Sequence, residues 1–347
     1  MGRTLAQRYR EHGETASPLS ARVAAAIGAD DAALRAIGTA PARRRAPALV
    51  LAALHDLALA GRAPALAAAH AAGDPDAAAQ AAVATLRDMP GAVADLVARR
   101  RTTRDGAAHA PVLLPVIAEA AHRGGASAVA LVDVGCGAGF DLVVDRIGAT
   151  YDGGPTLGDA ASPVPQPASV VGDRPVPARA VPEVVARVGL DPDPVDVTEP
   201  DDARWLRACV PPDHHERAAE LDTLVTLAAA SPRMLRRGDP LELLPDALAA
   251  VPAEALPIVT TTWTLAALPR ADRLRFLQRL DAAATDRPVA WVSAEGVGVA
   301  PAVPTLGDRP ASGHSVLGLA ILEHRRMRAE AVGRCWSRGR LLSWLAD

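Results

Sequence analysis

The stretch Val129-Ala130-Leu131-Val132-Asp133-Val134-Gly135-Cys136-Gly137-Ala138-Gly139 decides how the rest of the chain is read. Its first six residues make a buried strand, and three glycines at alternate positions make a tight turn directly after it. Glycine adopts backbone angles that other residues avoid and lets a ligand approach the main chain. The following segment, Phe140 to Ile147, is expected to be a helix whose free N–H groups point at that ligand. Strand, turn and helix together predict a nucleotide-type pocket, with the chain after residue 128 forming one sheet around it.

A chain of 347 residues suffices for one large domain or two ordinary ones. Half of it is hydrophobic but only 3% aromatic, which predicts a helix-rich, finely packed core with few large anchors. There is no Lys, so all 37 basic residues are Arg. A net charge of -3 gives no long-range attraction for nucleic acid, and no nucleic-acid partner is expected. The runs Arg43-Arg44-Arg45 and Arg99-Arg100-Arg101 read as solvated helix ends. Cys136, Cys209 and Cys335 are widely spaced, without a disulfide framework or a CxxC pattern, so no metal site is expected and a reducing cytoplasm fits. Met1 to Thr15 is charged and lacks the apolar core of a signal peptide. The longest apolar run, Ala46 to Ala60, is broken by His55 and Asp56 and falls short of the ~20 residues of a membrane span, so a soluble cytoplasmic protein without a membrane partner is expected.

Residues 1–110 predict an α-helical N-terminal domain, punctuated by Gly28, Gly38, Gly61 and Gly73 and broken again at Met89-Pro90-Gly91. Residues 111–347 predict an α/β domain. A helix from Pro111 to Arg123 precedes the first strand, and later strands end at Asp191, at Gly238-Asp239, at Thr260 to Trp263 and at Ser293 to Glu295. Val316 to Leu322 and Ala331 to Cys335 read as a final antiparallel pair, and Gly339 to Ala346 as a closing helix. Strands alternating with helices argue a Rossmann-like, mostly parallel sheet with helices on both faces. The Gly/Pro-rich insertion at about 148–180 is either a surface loop, a β-hairpin arm or a flap over the ligand.

Ligands of open α/β sheets bind beyond the carboxyl ends of the strands, where strand order reverses. Three of the strand ends carry an acidic residue, suited to a ribose hydroxyl pair or an exocyclic amine. The glycine spacing is G-x-G-x-G. A dinucleotide fingerprint wants its third glycine where Phe140 stands and an acidic residue about 20 positions further on, so NAD is disfavoured.

The nonapeptide Leu131 to Gly139 resembles motif I of the class I S-adenosylmethionine-dependent methyltransferases. By that resemblance Asp133, Gly135, Gly137 and Gly139 face the methionine end of the cofactor, Asp191 holds the ribose, and Asp239 of Gly238-Asp239 lies near the adenine. A resemblance over most of the chain is to the DUF2332 family of uncharacterised bacterial proteins. It is carried by Asp133-Val134-Gly135 to Gly139, Leu142 to Arg146, Gly189-Leu190-Asp191, Pro194 to Val197, Asp202 to Leu206, Gly238-Asp239 and Gly339 to Leu345. Members often carry Ser-Ala-Gly-Leu-Asn where this chain has Gly137-Ala138-Gly139-Phe140-Asp141. Two features depart from ordinary methyltransferases. The stretch between the turn and Asp191 is long for a crossover, and Thr260-Thr261-Thr262-Trp263 replaces the Asn/Asp-Pro-Pro-Tyr element of amine methylases.

The expected function is an S-adenosylmethionine-dependent methyltransferase acting on an unknown small-molecule acceptor. The alternatives are a methyltransferase-like binding or scaffold protein without catalysis, and an NAD(P)-dependent oxidoreductase. No residue declares itself catalytic, and oligomeric state is not legible. Asp213-His214-His215-Glu216 has metal-ligand residue types, but neighbours on a helix point apart. Glu295, His314 and Glu323 with His324 are candidates for a general base near strand ends. His55, Asp56, His70 and His109 read as surface or hydrogen-bonded groups, with a lid over the pocket as the alternative. Cys136 reads as a small residue required by a crowded turn.

Overall fold

The computed structural model describes residues 3–103 and 109–346. The chain begins with α1 (Leu5–Gly13), α2 (Pro18–Ala29), α3 (Asp31–Gly38), α4 (Pro47–Leu59), α5 (Pro64–Ala72), α6 (Pro75–Asp88), α7 (Pro90–Arg99) and α8 (Ala110–Arg123). β1 (Ala128–Val134), β2 (Gly148–Tyr151), β3 (Leu157–Gly158), β4 (Pro165–Val170) and β5 (Glu183–Asp191) follow. Next come α9 (Pro200–Ala208), α10 (His215–Ala229), β6 (Met234–Arg237), α11 (Pro240–Ala249), β7 (Leu256–Thr262) and α12 (Arg270–Ala283). β8 (Val289–Gly296), β9 (Ser315–Glu323), β10 (Arg326–Trp336) and β11 (Leu341–Trp344) complete the order. Proline opens many of these helices, at a position where its missing N–H costs nothing and its φ is already helical.

The chain divides into two compact units, residues 1–106 with 197–225, and residues 107–196 with 226–347. Residues 197–225 thus join the first unit, whose core is built from small side chains around Tyr9, Leu54, Leu57, Leu66, Leu86 and Trp205. Asp213 is spent there on capping α2: its carboxylate accepts the Ser17 hydroxyl at 2.5 Å and the Leu19 N–H at 3.0 Å. His55 and His70 meet edge to face, their centroids 5.2 Å apart.

The second unit is α/β, built on an 11-stranded mixed sheet of order β3-β2-β4-β11-β10-β9-β8-β7-β1-β5-β6. Strands β8, β7, β1, β5 and β6 are parallel, and their order reverses at β1. The sheet as a whole is less parallel than the alternation of elements suggests, because β8 to β11 form an antiparallel meander. Ala130, Val132 and Val134 of β1 pack with Val259, Trp291, α11 and α12. Strand alternation therefore sends Leu131 and Asp133 to the opposite face. That face is covered by α8, every residue of which is buried from Ala110 to Ala121. α8 touches β7, β8 and β9 and also β2, β3 and β4. The buried Glu119 of α8 is balanced by Arg123 at 2.7 Å and by Arg179.

Three local expectations are corrected. Phe140 to Arg146 is a 3-10 segment interrupted at Val143 (φ -115°, ψ 19°), not an α-helix. Phe140 to Val144 are all buried, so this stretch has no solvent face to give it helical periodicity. The closing helix is instead strand β11: Leu342 and Trp344 are buried while Leu341 is exposed, a period of two. The 148–180 insertion is not a free loop but supplies β2, β3 and β4, and β4 pairs with β11 through Ser169–Leu341 and Val170–Leu342.

Among the described residues no single helix is long and apolar enough to cross a membrane; α4 and α5 reach the composition only as a pair bent by 99°.

Candidate functional site

At the carboxyl end of β1 all three glycines of the turn are left-handed, with φ of 79° at Gly135, 52° at Gly137 and 71° at Gly139. The turn is tied to the end of β5. Gly135 N–H donates to the Leu190 carbonyl at 2.7 Å, and Gly137 N–H donates to Asp191 Oδ2 at 3.0 Å. The other oxygen of Asp191 takes the Asp193 N–H at 2.7 Å. Gly238 N–H donates to the Asp191 carbonyl at 3.0 Å, which brings Asp239 alongside. Asp239 caps α11 through the Leu241 N–H at 2.9 Å. Asp133 is buried and accepts the Thr260 hydroxyl at 2.7 Å. The structure therefore gathers Asp133, Gly135, Gly137, Gly139 and Asp191 at one place, with Asp239 one strand further on.

Packing also demands these small residues. A Cβ on Gly135 would lie 2.5 Å from Cγ2 of Thr264, and one on Gly189 would lie 2.6 Å from Sγ of Cys136. Gly135→Ala is accordingly expected to cost about 2 kcal/mol, from left-handed strain of ~1–2 kcal/mol and the clash. Denaturant unfolding reads this, and adding Thr264→Ala should recover only the clash. Arg233 lies against Gly139, with its Nε 3.4 Å from where a Cβ would be. Burial lowers its pKa, while Asp196 and Cys136 favour its charge.

A second group stands on the same strand ends. His109, the N-cap of α8, gives Asp141 its backbone N–H at 2.9 Å, and its Nδ1 lies 2.9 Å from Asp141 Oδ2. Burial opposes the charge on Asp141, but the His109 ring and N–H outweigh it and hold the carboxyl below its ordinary value. The His109 ring meets the indole of Trp263 edge to face, 4.8 Å between centroids at 75°. Trp263 has φ 51°, a left-handed conformation that a bulky side chain keeps only when its surroundings impose it. Its N–H donates to the Ala294 carbonyl at 2.9 Å and its indole N–H to Ser315 Oγ at 2.7 Å. Next to it, Thr264 and Leu265 donate their N–H groups at 2.9 and 2.8 Å to Oε1 of Glu295, a fully buried carboxyl whose Oε2 has no hydrogen-bond partner among the described residues. Burial pushes Glu295 up to about 7, against the N–H groups of Leu265, Thr264 and Ala266.

Sequence reasoning picked out Glu295 and the glycine turn but missed the pairing of His109 with Asp141 and the role of Trp263. Nothing local marks them, since the two pairing partners come from different elements. His314, another expected base, is bound instead to Asp308 at 2.9 Å, and Arg334 holds the same carboxylate at 2.6 Å.

No curated protein and no solved structure matches the chain. A family model described as "Uncharacterized protein conserved in bacteria (DUF2332)" matches residues 3–344, and the chain belongs to that family.

Proposed function

We propose that this protein is an S-adenosylmethionine-dependent methyltransferase of Rossmann-like build that acts on a small-molecule acceptor. The observation that carries the reading is the run of three left-handed glycines at the strand-order reversal, with Asp191 against Gly137 and Gly238-Asp239 beside it. The donor set suits the cofactor. Each oxygen of Asp191 accepts one N–H and keeps a lone pair for a ribose hydroxyl. Arg233 offers a cation to a carboxylate, and Asp239 an acceptor to an exocyclic amine. When bound, S-adenosylmethionine supplies an electrophilic methyl group on sulfur, and the protein's share is orientation and exclusion of water.

Calorimetric titration with S-adenosylmethionine, S-adenosylhomocysteine and NAD tests this. Both sulfur compounds are expected to bind and NAD is not. Silence from both at millimolar concentration would sink the reading, and binding of NAD alone would point to an oxidoreductase. A second reading is a methyltransferase-like protein that binds without catalysis. It is favoured by the 3-10 segment at Phe140 to Arg146, which gives the turn no α-helix N-terminus to aim at a ligand.

A further inference from the structure

We infer that the 148–180 insertion carries a second binding site, a crevice that takes a small organic cation: an ammonium group on an apolar body. The crevice has a volume of about 350 Å³ and lies between the turn after β2 and the segment that follows β4. That is the lower end of the range for small-molecule pockets, roughly 300–1,000 Å³. The site goes beyond the transferase reading and does not rest on it.

Strand direction sets its place. β1, β7 and β8 run parallel, and β9, β10 and β11 then alternate in direction, so β11 runs opposite to β1. β4 is parallel to β11, and β2 to β4. The carboxyl ends of β2 and β4, at Tyr151 and Val170, therefore open at the opposite end of the sheet from the glycine turn. A ligand held there stands apart from Gly135 and Asp191.

The walls are Tyr151, Leu157, Val170 and Val176, with Pro155 and Pro175 on the two flanking arms. Tyr151 and Leu157 are buried, and the Tyr151 hydroxyl donates to the Pro111 carbonyl at 2.8 Å, which fixes the aromatic wall. Asp152 N–H donates to the Ala168 carbonyl at 3.1 Å and Gly154 N–H to the Tyr151 carbonyl at 2.8 Å, tying the first arm to the sheet. The second arm is tied by Val171 N–H, which donates to the Leu342 carbonyl at 2.7 Å. Proline adds a fixed φ to each arm, so the crevice is largely formed before a ligand arrives.

Charge selects the ligand. The charged residues of the lining are Asp152, Asp173 and Arg174. Arg174 Nη1 donates to the Leu345 carbonyl at 2.5 Å, so its guanidinium is engaged with the C-terminal segment. Asp152 gives Oδ2 to the Val170 N–H at 2.9 Å, and neither Asp152 nor Asp173 forms an ion pair among the described residues. An ammonium group at this mouth gains charge-assisted hydrogen bonds from the carboxylates while its apolar body covers the walls. A neutral alcohol lacks the charge, and a carboxylate is repelled.

Benzylamine, protonated near neutral pH, is the probe, with benzyl alcohol and benzoate as its neutral and anionic counterparts. The whole chain is isotopically labelled at its 27 glycines and titrated by NMR. Benzylamine is expected to shift the amides of Gly154 and Gly172 with a Kd on the order of 1 mM, while Gly135, Gly137 and Gly139 stay in place. Benzyl alcohol should bind about tenfold more weakly and benzoate not at all. Asp173→Asn should weaken benzylamine about threefold, and Asp152→Asn with Asp173→Asn about tenfold. Asparagine keeps an acceptor for the Val170 N–H and tolerates the left-handed φ of 48° at position 152. Val176→Trp fills the crevice, leaves both carboxylates, and should abolish the shifts. Unmoved Gly154 and Gly172 signals at about 20 mM benzylamine overturn the inference. So do equal affinities for benzylamine and benzyl alcohol, and an affinity indifferent to both aspartates. None of these results bears on the cofactor titration, which concerns the other end of the sheet.

Discussion

Arg187→Ala is expected to destabilise the α/β unit by about 3 kcal/mol, seen as a lower denaturant midpoint at unchanged slope. Arg187 sits on β5 with its side chain only 6% exposed. Its fork meets Asp145 at 2.6 and 2.7 Å, and Nη1 also donates to the Leu142 carbonyl. Truncation leaves a carboxylate and a carbonyl without their donor in a place water reaches poorly. Asp145 retains 17% exposure, which puts the loss at the lower end of the ~3–5 kcal/mol for breaking a buried pair. The double change Arg187→Leu with Asp145→Leu should recover most of it, because two apolar groups need no solvation. A loss below about 1 kcal/mol for the single change would mean the pair is solvated in solution.

Glu295→Gln is expected to stabilise the protein above neutrality by up to about 3 kcal/mol and to flatten its pH dependence. The carboxyl of Glu295 is raised from 4.5 to about 7 by burial. Between those values the folded chain holds a proton that the unfolded chain has released. Stability therefore falls as pH rises through this window and stays low above it. Glutamine keeps an acceptor for the Thr264 and Leu265 N–H groups and carries no charge to bury. The two proteins should be equally stable near pH 4 and diverge toward about pH 8. Parallel stability curves across that range would show that Glu295 ionises freely in the folded state.

The sequence was most legible where one residue type settles local geometry. Proline and glycine marked most of the helix starts and stops in residues 1–100, and the apolar run Val129 to Val134 lies within β1 with only Ala128 added. It was least legible where tertiary contact overrides local preference. Phe140 to Arg146 looks helical until Asp141 is seen held by His109 and Asp145 by Arg187. Leu341 to Trp344 became a strand because the exposed edges of β10 and β4 offer it partners on both sides. In the site, the glycines and Asp191 were readable because strand ends announce themselves. The His109–Asp141 pair was not, because it depends on α8 and the segment after β1 arriving at the same point.

The pairing of β4 with β11 sets a condition on how this unit acquires its structure. Ser169 meets Leu341 across roughly 170 residues of intervening chain, so the entropy of closing that loop is spent before the contact returns anything. The β7–β8 and β9–β10 neighbours are close in sequence and can form early. Within the sheet, β2 and β3 are joined to β11 through β4, so this end of the sheet closes only when the last strand docks. A late step of this kind leaves strand edges open in the unfinished molecule, and it makes the β4–β11 seam the place where assembly is committed.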